Sequence, residues 1–351
     1  MNEGTMNDCH IATLDVGTSS VRCLILNKSG DIVGSSNKAI TLLYPEAGWV
    51  EIEPEHLWTT VLEVIDSAIR DAHLHATDIS CIGISTARCT IITWDKSSGK
   101  HFHNFITWKD LRADSLVKHH NSSCLMQMMR IGARCLYTVS RQKRFLAASD
   151  LKAMNVQIVC RLEWILQEMP EVREAAEAGR AVYGMIDSWL LYKLTGGKLH
   201  VTDASCASAS GAYDPFTMEY SAPLLWMYHI PRSMMPTVCD SAGEHFGSTD
   251  AKLFGQPIPI RSSLGDQSAS LFGSCCFKEG DTKVTLGTGT FLDVNTGRKP
   301  HASISGLYPV VAWRFNDELV YMAEGSSSDT ASLIHWLLNM GLCGSALRLL
   351  E

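Results

Sequence analysis

Two short segments of this chain share one pattern. Leu14-Asp15-Val16-Gly17-Thr18 and Leu286-Gly287-Thr288-Gly289-Thr290 both read L-x-x-G-T, with strand-like runs after each, Val21 to Asn27 and Phe291 to Asn295. A glycine between two β-rich runs marks a tight turn, and short hydroxyl neighbours leave backbone N–H groups open to an anion. Two such hairpins about 270 residues apart suit a duplicated domain with nucleotide held between the halves.

The intervening sequence fits an α/β fold. Ile11 to Gly17, Val21 to Asn27 and Ile32 to Ile40 read as an antiparallel meander turning at Thr18-Ser19-Ser20 and Lys28-Ser29-Gly30-Asp31. Pro54 stands at a first helical position, and Leu57, Val61, Ile65, Ala68, Ile69 and Ala72 recur at helical spacing, a helix that covers one sheet face. Ile79 to Ser85 and Thr90 to Asp95 read as further strands, Val159 to Met169 and Ile186 to Leu194 as helices. The order implies a mixed sheet packed by helices.

Composition narrows the function classes. At 351 residues the chain divides into about two domains, and 46% apolar content is that of a globular protein. No run of ~18 apolar residues occurs, and the start Met1-Asn2-Glu3-Gly4 lacks a basic-then-apolar layout, so the expectation is a cytoplasmic protein with no membrane span. A net charge of −7 argues against nucleic acid, and Arg141-Gln142-Lys143-Arg144 reads as a solvated surface patch. The twelve cysteines form no CxxC pair and read as reduced thiols. A homo-oligomer stays open.

The chemistry is concentrated near the second turn. Gly265-Asp266-Gln267 places a carboxylate able to take a hydroxyl proton about twenty residues before Leu286. A base beside phosphate-type turns points to phosphoryl transfer to an alcohol, hence to an ATP-dependent kinase. Taken singly, these residues admit plainer readings: a β-turn capped by Asp15, core packing for Trp108 and Phe291, a surface ion pair for Arg88.

Their joint order carries more. Ala12-Thr13-Leu14-Asp15-Val16-Gly17-Thr18-Ser19-Ser20, Tyr44-Pro45-Glu46-Ala47-Gly48-Trp49-Val50-Glu51, Gly83-Ile84-Ser85-Thr86-Ala87-Arg88 and Thr107-Trp108-Lys109-Asp110-Leu111-Arg112 are followed by Gly184 to Leu190, Thr202-Asp203, Gly265-Asp266-Gln267 and Gly287 to Phe291. In this order they resemble the FGGY carbohydrate kinases, the glycerol kinases and a divergent branch of them above all. The resemblance implies an α/β, actin-like ATPase fold with two ribonuclease-H-like halves, the second incomplete. It divides the chain into a disordered tail at 1–10, an N-terminal substrate and phosphate domain at 11–274, and part of a C-terminal nucleotide-binding domain at 275–351. It implies Asp266 as general base on glycerol or another small polyol, with Gln267 beside it, Arg88 on the hydroxyls, and Trp108 and Phe291 walling the carbon skeleton. Thr18, Ser19, Ser20 and Arg22 would meet the ATP phosphates, Thr288 the γ-phosphate from the second half, and Asp15 a Mg2+ ion through water. Ala331 and His335 would begin the nucleotide wall with Glu324-Gly325-Ser326.

The chain also departs from that pattern. Cys89 stands where glycerol kinases place a Glu, and Val156 falls near their substrate-contacting Tyr, so two polar ligands for glycerol are missing. The family continues well over a hundred residues past the position of Glu351, which implies a fragment, a short isoform or an incomplete gene model. The expectation is weak ATP binding, little turnover, and self-association through Leu333, Leu337, Leu338 and Leu342. The alternatives are a kinase for another polyol or sugar, or a catalytically impaired actin-fold binding protein.

Overall fold

A computed structural model of the chain describes residues 9–287, 289–302, 306–327 and 330–341. Its centre is a five-stranded sheet. β1 (His10–Val16), β2 (Ser20–Leu26) and β3 (Ile32–Ala39) form the expected antiparallel meander. The strand Ile79–Thr86 then lies parallel to β1, and Ile260–Gly265 parallel to that strand on the far edge. The first strand therefore begins at His10, inside the segment read as tail.

Helix α1 (Pro54–Asp71) covers this sheet for reasons visible in its sequence. Pro54 starts it, the Glu53 carboxylate accepts from the His56 N–H at 2.6 Å, and Leu57, Val61, Val64, Ile65 and Ala68 form its buried stripe. The approach is close enough to require a glycine. A Cβ at Gly34 on β3 would stand 2.4 Å from the Ala68 carbonyl oxygen.

A second four-stranded layer joins Glu51–Ile52, Phe105–Ile106, Ile91–Asp95 and Ala181–Met185. The Thr90 to Asp95 strand thus belongs to a separate sheet from Ile79–Thr86, because the chain crosses between layers at Ala87-Arg88-Cys89. Helices Ile158–Glu168 and Ile186–Leu194 form as expected. Helices Cys124–Ser140 and Lys143–Ser149 have no counterpart in the sequence reading. Their periodicity is blurred because apolar residues ring the first of them: Met126 is buried, while Met128, Ile131 and Val139 are exposed.

The remaining chain builds a four-stranded antiparallel sheet in the order Thr282–Leu286, Thr290–Gly297, Glu318–Ser327, Tyr308–Phe315. Its opening hairpin turns between Gly287 and Gly289, as the first turns at Gly17 and Thr18. Helix Asp266–Gly273 links the two sheets, and helix Ala331–Asn339 follows the last strand. Among the described residues no cysteine is disulfide-bonded, and no helix is long and apolar enough to cross a membrane.

Candidate active site

A cavity of about 830 Å³ opens between the two sheets, and residues of both glycine turns line it. The first turn is closed by the Gly17 N–H donating to the Ser20 carbonyl at 2.9 Å, with Thr18 buried and Ser19 exposed. Asp15 and Arg22 sit directly opposite each other on β1 and β2, and Ser85 donates to the Asp15 carboxylate at 3.3 Å. In the second turn the Gly287 N–H donates to the Gly289 carbonyl at 3.0 Å. Thr288 lies outside the described residues, as do the side chains of Ala331 and His335.

Asp266 opens its helix, directly after the end of the strand Ile260–Gly265. There its carboxylate takes the Gln267 N–H at 2.8 Å and faces the positive end of the helix dipole. Burial raises its pKa above the usual carboxylate value, against the pull of Arg88 and of that N–H, with Glu324 and Asp15 adding to the rise. A third of its side-chain surface stays open to the cavity. A carboxylate held in this way is poised to accept a proton.

Arg88 crosses beneath it. Its Nε lies 3.6 Å from Asp266 and its Nη2 is bonded to Glu324, yet Nε and Nη1 have no hydrogen-bond partner although the side chain is buried. Burial works against the charge, and Glu324 and Asp266 outweigh it, so the Arg88 pKa lies above the ordinary arginine value. Gly265 makes room for the crossing: a Cβ there would stand 2.5 Å from the Arg88 Cδ. Two orphaned guanidinium donors beside a carboxylate are what a hydroxyl-bearing ligand satisfies.

Trp108 and Phe291 meet, one from each half, with ring centres 6.0 Å apart and planes at 63°. The Trp108 Nε1 donates to Thr18 Oγ1 at 2.8 Å, tying this ring to the first glycine turn. Its position is set from behind. Arg161, fully buried, donates to the carbonyls of Ile106, Thr107 and Val156. Arg112 pairs with Asp110 and Glu51 and stacks 3.9 Å from the Trp49 ring centre. Two of the motifs quoted above are therefore a brace for Trp108.

Gln267 lines the cavity beside Asp266. Its amide oxygen accepts from Lys283 Nζ at 2.9 Å and Thr285 Oγ1 at 3.1 Å, so that atom is engaged by the second sheet. Glu324, read from sequence as the start of a nucleotide wall, turns instead to Arg88. The reason is register: Lys283, Asp293, Glu324 and Tyr308 stand opposite one another in a single row across the second sheet. Lys283 pairs with Asp293 at 2.9 Å, and the Tyr308 hydroxyl donates to Glu324 at 2.5 Å. Sequence reasoning missed this row. Its one legible signal is Glu324 itself, a carboxylate after the apolar Val320-Tyr321-Met322-Ala323, which needs a buried cation.

Arg144 is exposed, in keeping with its reading as part of a solvated patch. It lines the cavity and pairs with Asp214 at 2.7 Å. Cys89 and Val156 line the cavity too. Cys89 has a left-handed backbone (φ 61°), and burial pushes its thiol up to about 11, so it is neutral and no substitute for a carboxylate.

A sheet of this order, with a carboxylate and a buried arginine between two glycine turns, defines the class that sequence comparison names. Residues 10–273 match the N-terminal domain of the FGGY family of carbohydrate kinases. The chain belongs to that family, whose members have the actin-like ATPase fold. It is 45% identical over 341 residues to "Glycerol kinase 5" of Danio rerio, covering 97% of this chain and 64% of that protein. Against "Glycerol kinase 5" of Homo sapiens the identity is 44%, covering 94% and 62%. The solved structure of Plasmodium falciparum glycerol kinase with ADP superimposes with a TM-score of 0.82 at 27% identity, covering 96% of this chain and 65% of that one. The chain thus spans somewhat under two thirds of the length of these two glycerol kinase 5 relatives.

Proposed function

We propose that this protein transfers the γ-phosphoryl group of ATP to a primary hydroxyl of a small polyol, with glycerol as the reference substrate. The observation that carries the reading is Asp266, its pKa raised, beside the two unpartnered Arg88 donors in a cavity shared with both glycine turns. Arg88 holds and orients the diol. Asp266 takes the proton as the hydroxyl oxygen bonds to the γ-phosphorus, the bond from that phosphorus to the bridging oxygen breaks, and ADP leaves. The backbone of the two turns, with Thr18 and Ser19, faces the phosphates, and Arg22 offers a fork to their oxygens.

Magnesium supplies positive charge against the phosphate oxygens when bound. The donor set fits it: Asp15 is exposed at the end of β1, next to the first turn, and Ser85 occupies only one of its oxygens. It would hold the ion through water. We assign residues 11–274 to substrate and phosphate binding and 275–351 to the start of the nucleotide half.

The support from relatives is coarse but concordant, since the names they carry are of glycerol kinases and the solved neighbour holds ADP. The test is glycerol-dependent ADP release. Asp266→Asn is expected to lower its rate by about 10²–10⁴-fold while nucleotide affinity is kept. Near wild-type turnover in that variant removes Asp266 from the mechanism.

A further inference from the structure

The cavity changes character along its length. Asp266, Arg88, Glu324 and Tyr308 gather at one end, whereas helices Cys124–Ser140 and Lys143–Ser149, Leu151 just after them and the nearby segment 211–224 contribute Met129, Leu136, Phe145, Leu151, Phe216 and Leu224 at the other, with two ion pairs among them. Cys89 and Val156 join the two parts: Met129, Leu151 and Val156 pack against the same buried cluster that contains Cys89. The charged residues on the lining of this lobe pair with each other, Arg144 with Asp214 at 2.7 Å and Lys152 with Asp150 at 3.8 Å.

We infer that the substrate is a polyol carrying an alkyl tail, of the class of the 1-O-alkylglycerols, with its diol at Asp266 and Arg88 and its tail in the apolar lobe. This rests on the kinase reading and names its substrate class. The cavity of about 830 Å³ takes in both glycine turns and the diol end, and the apolar lobe is the part of it that a three-carbon polyol leaves unfilled. Filling the lobe with water leaves apolar surface wet; filling it with methylenes does not. A third hydroxyl finds no acceptor at Cys89 or Val156, and an ether-linked tail asks for none. Among the described residues lining the lobe, both cations, Arg144 and Lys152, face a carboxylate, so neither is left unpaired to favour a phosphorylated or acidic tail over an alkyl one.

Titration calorimetry of the protein without nucleotide tests this with glycerol and its 1-O-butyl, hexyl and octyl ethers below micelle formation. Affinity is expected to rise about two- to fourfold per methylene until the lobe is full. Affinity that is flat along the series overturns the inference. Gly132 lines the lobe and a Cβ there meets no atom within 4 Å, so Gly132→Phe fills the space without a clash at its root. It is expected to abolish the length dependence and leave glycerol affinity unchanged; a slope that survives in a variant melting like the parent overturns the placement of the tail. ADP release is read separately on the same ethers. Length-dependent binding without ADP release keeps the lobe assignment and rejects the kinase reading.

Discussion

The hairpin of β1 and β2 and the hairpin of Thr282–Leu286 with Thr290–Gly297 both turn on a glycine-threonine tip, but different forces hold them. In the first, Leu14, Val16, Val21, Cys23 and Ile25 are buried, and its facing charges, Asp15 and Arg22, both stand in solvent. In the second, Lys283 and Asp293 are buried within the sheet and Glu324 beside them, in one row that ends on Arg88. Apolar burial stabilises the first hairpin outright. A buried ion row gives little net stability, but it is costly to break and fixes geometry. The first half therefore presents its glycine turn on a hydrophobic core, while the second holds a guanidinium in place.

The sharpest way to break that comparison is to remove one member of the row. Glu324→Ala leaves Arg88 buried with Asp266 at 3.6 Å as its remaining carboxylate contact, and is expected to cost about 3–5 kcal/mol of stability. Denaturant unfolding measures it. Arg22→Ala, at the corresponding exposed pair, is expected to cost no more than about 1 kcal/mol. Equal losses would mean that the two hairpins are held alike.

The same contrast explains what was legible in the sequence. The meander, α1 and the first turn follow from apolar spacing and glycine chemistry, which are local. Arg88, Asp266, Trp108 and Phe291 stand out in the sequence because each lies in a motif of fixed order, and the structure brings them to one cavity. The row of Lys283, Asp293, Glu324 and Tyr308 does not stand out, because it exists only through the register of three strand pairings. Nothing at Asp293 itself announces that Lys283 faces it. The helix Cys124–Ser140 escaped for the opposite reason, with apolar residues on too many faces to mark one as buried.

A second prediction uses pH. Burial and the neighbouring Glu324 push the Asp293 carboxyl up to about 7, against the pull of Lys283. A carboxyl raised in the folded state keeps a proton that the unfolded chain releases. Its contribution is fully present below about pH 4 and is lost as pH rises through about 7. Asp293→Asn is expected to flatten that fall in stability between pH 4 and 7, since Lys283 keeps its bonds to Gln267. Thermal melts across the range decide it. A wild-type curve that rises with pH as steeply as the variant's would show the row to be ionised throughout.

The smallest effect lies where the two halves touch. Indole N–H is donor only, so the Trp108 bond leaves the Thr18 oxygen accepting and its own proton free to point at a phosphate. Trp108→Phe keeps an aromatic face toward Phe291 but removes that donor. The Thr18 hydroxyl then turns freely, which is expected to weaken nucleotide binding by about 0.5–1.5 kcal/mol, with stability changed less than by loss of Glu324. Calorimetric titration with ADP, beside Trp108→Ala to remove the ring as well, separates the hydrogen bond from the wall. Unchanged affinity in the Phe variant would mean that the polyol wall and the first phosphate turn, though bonded, act independently.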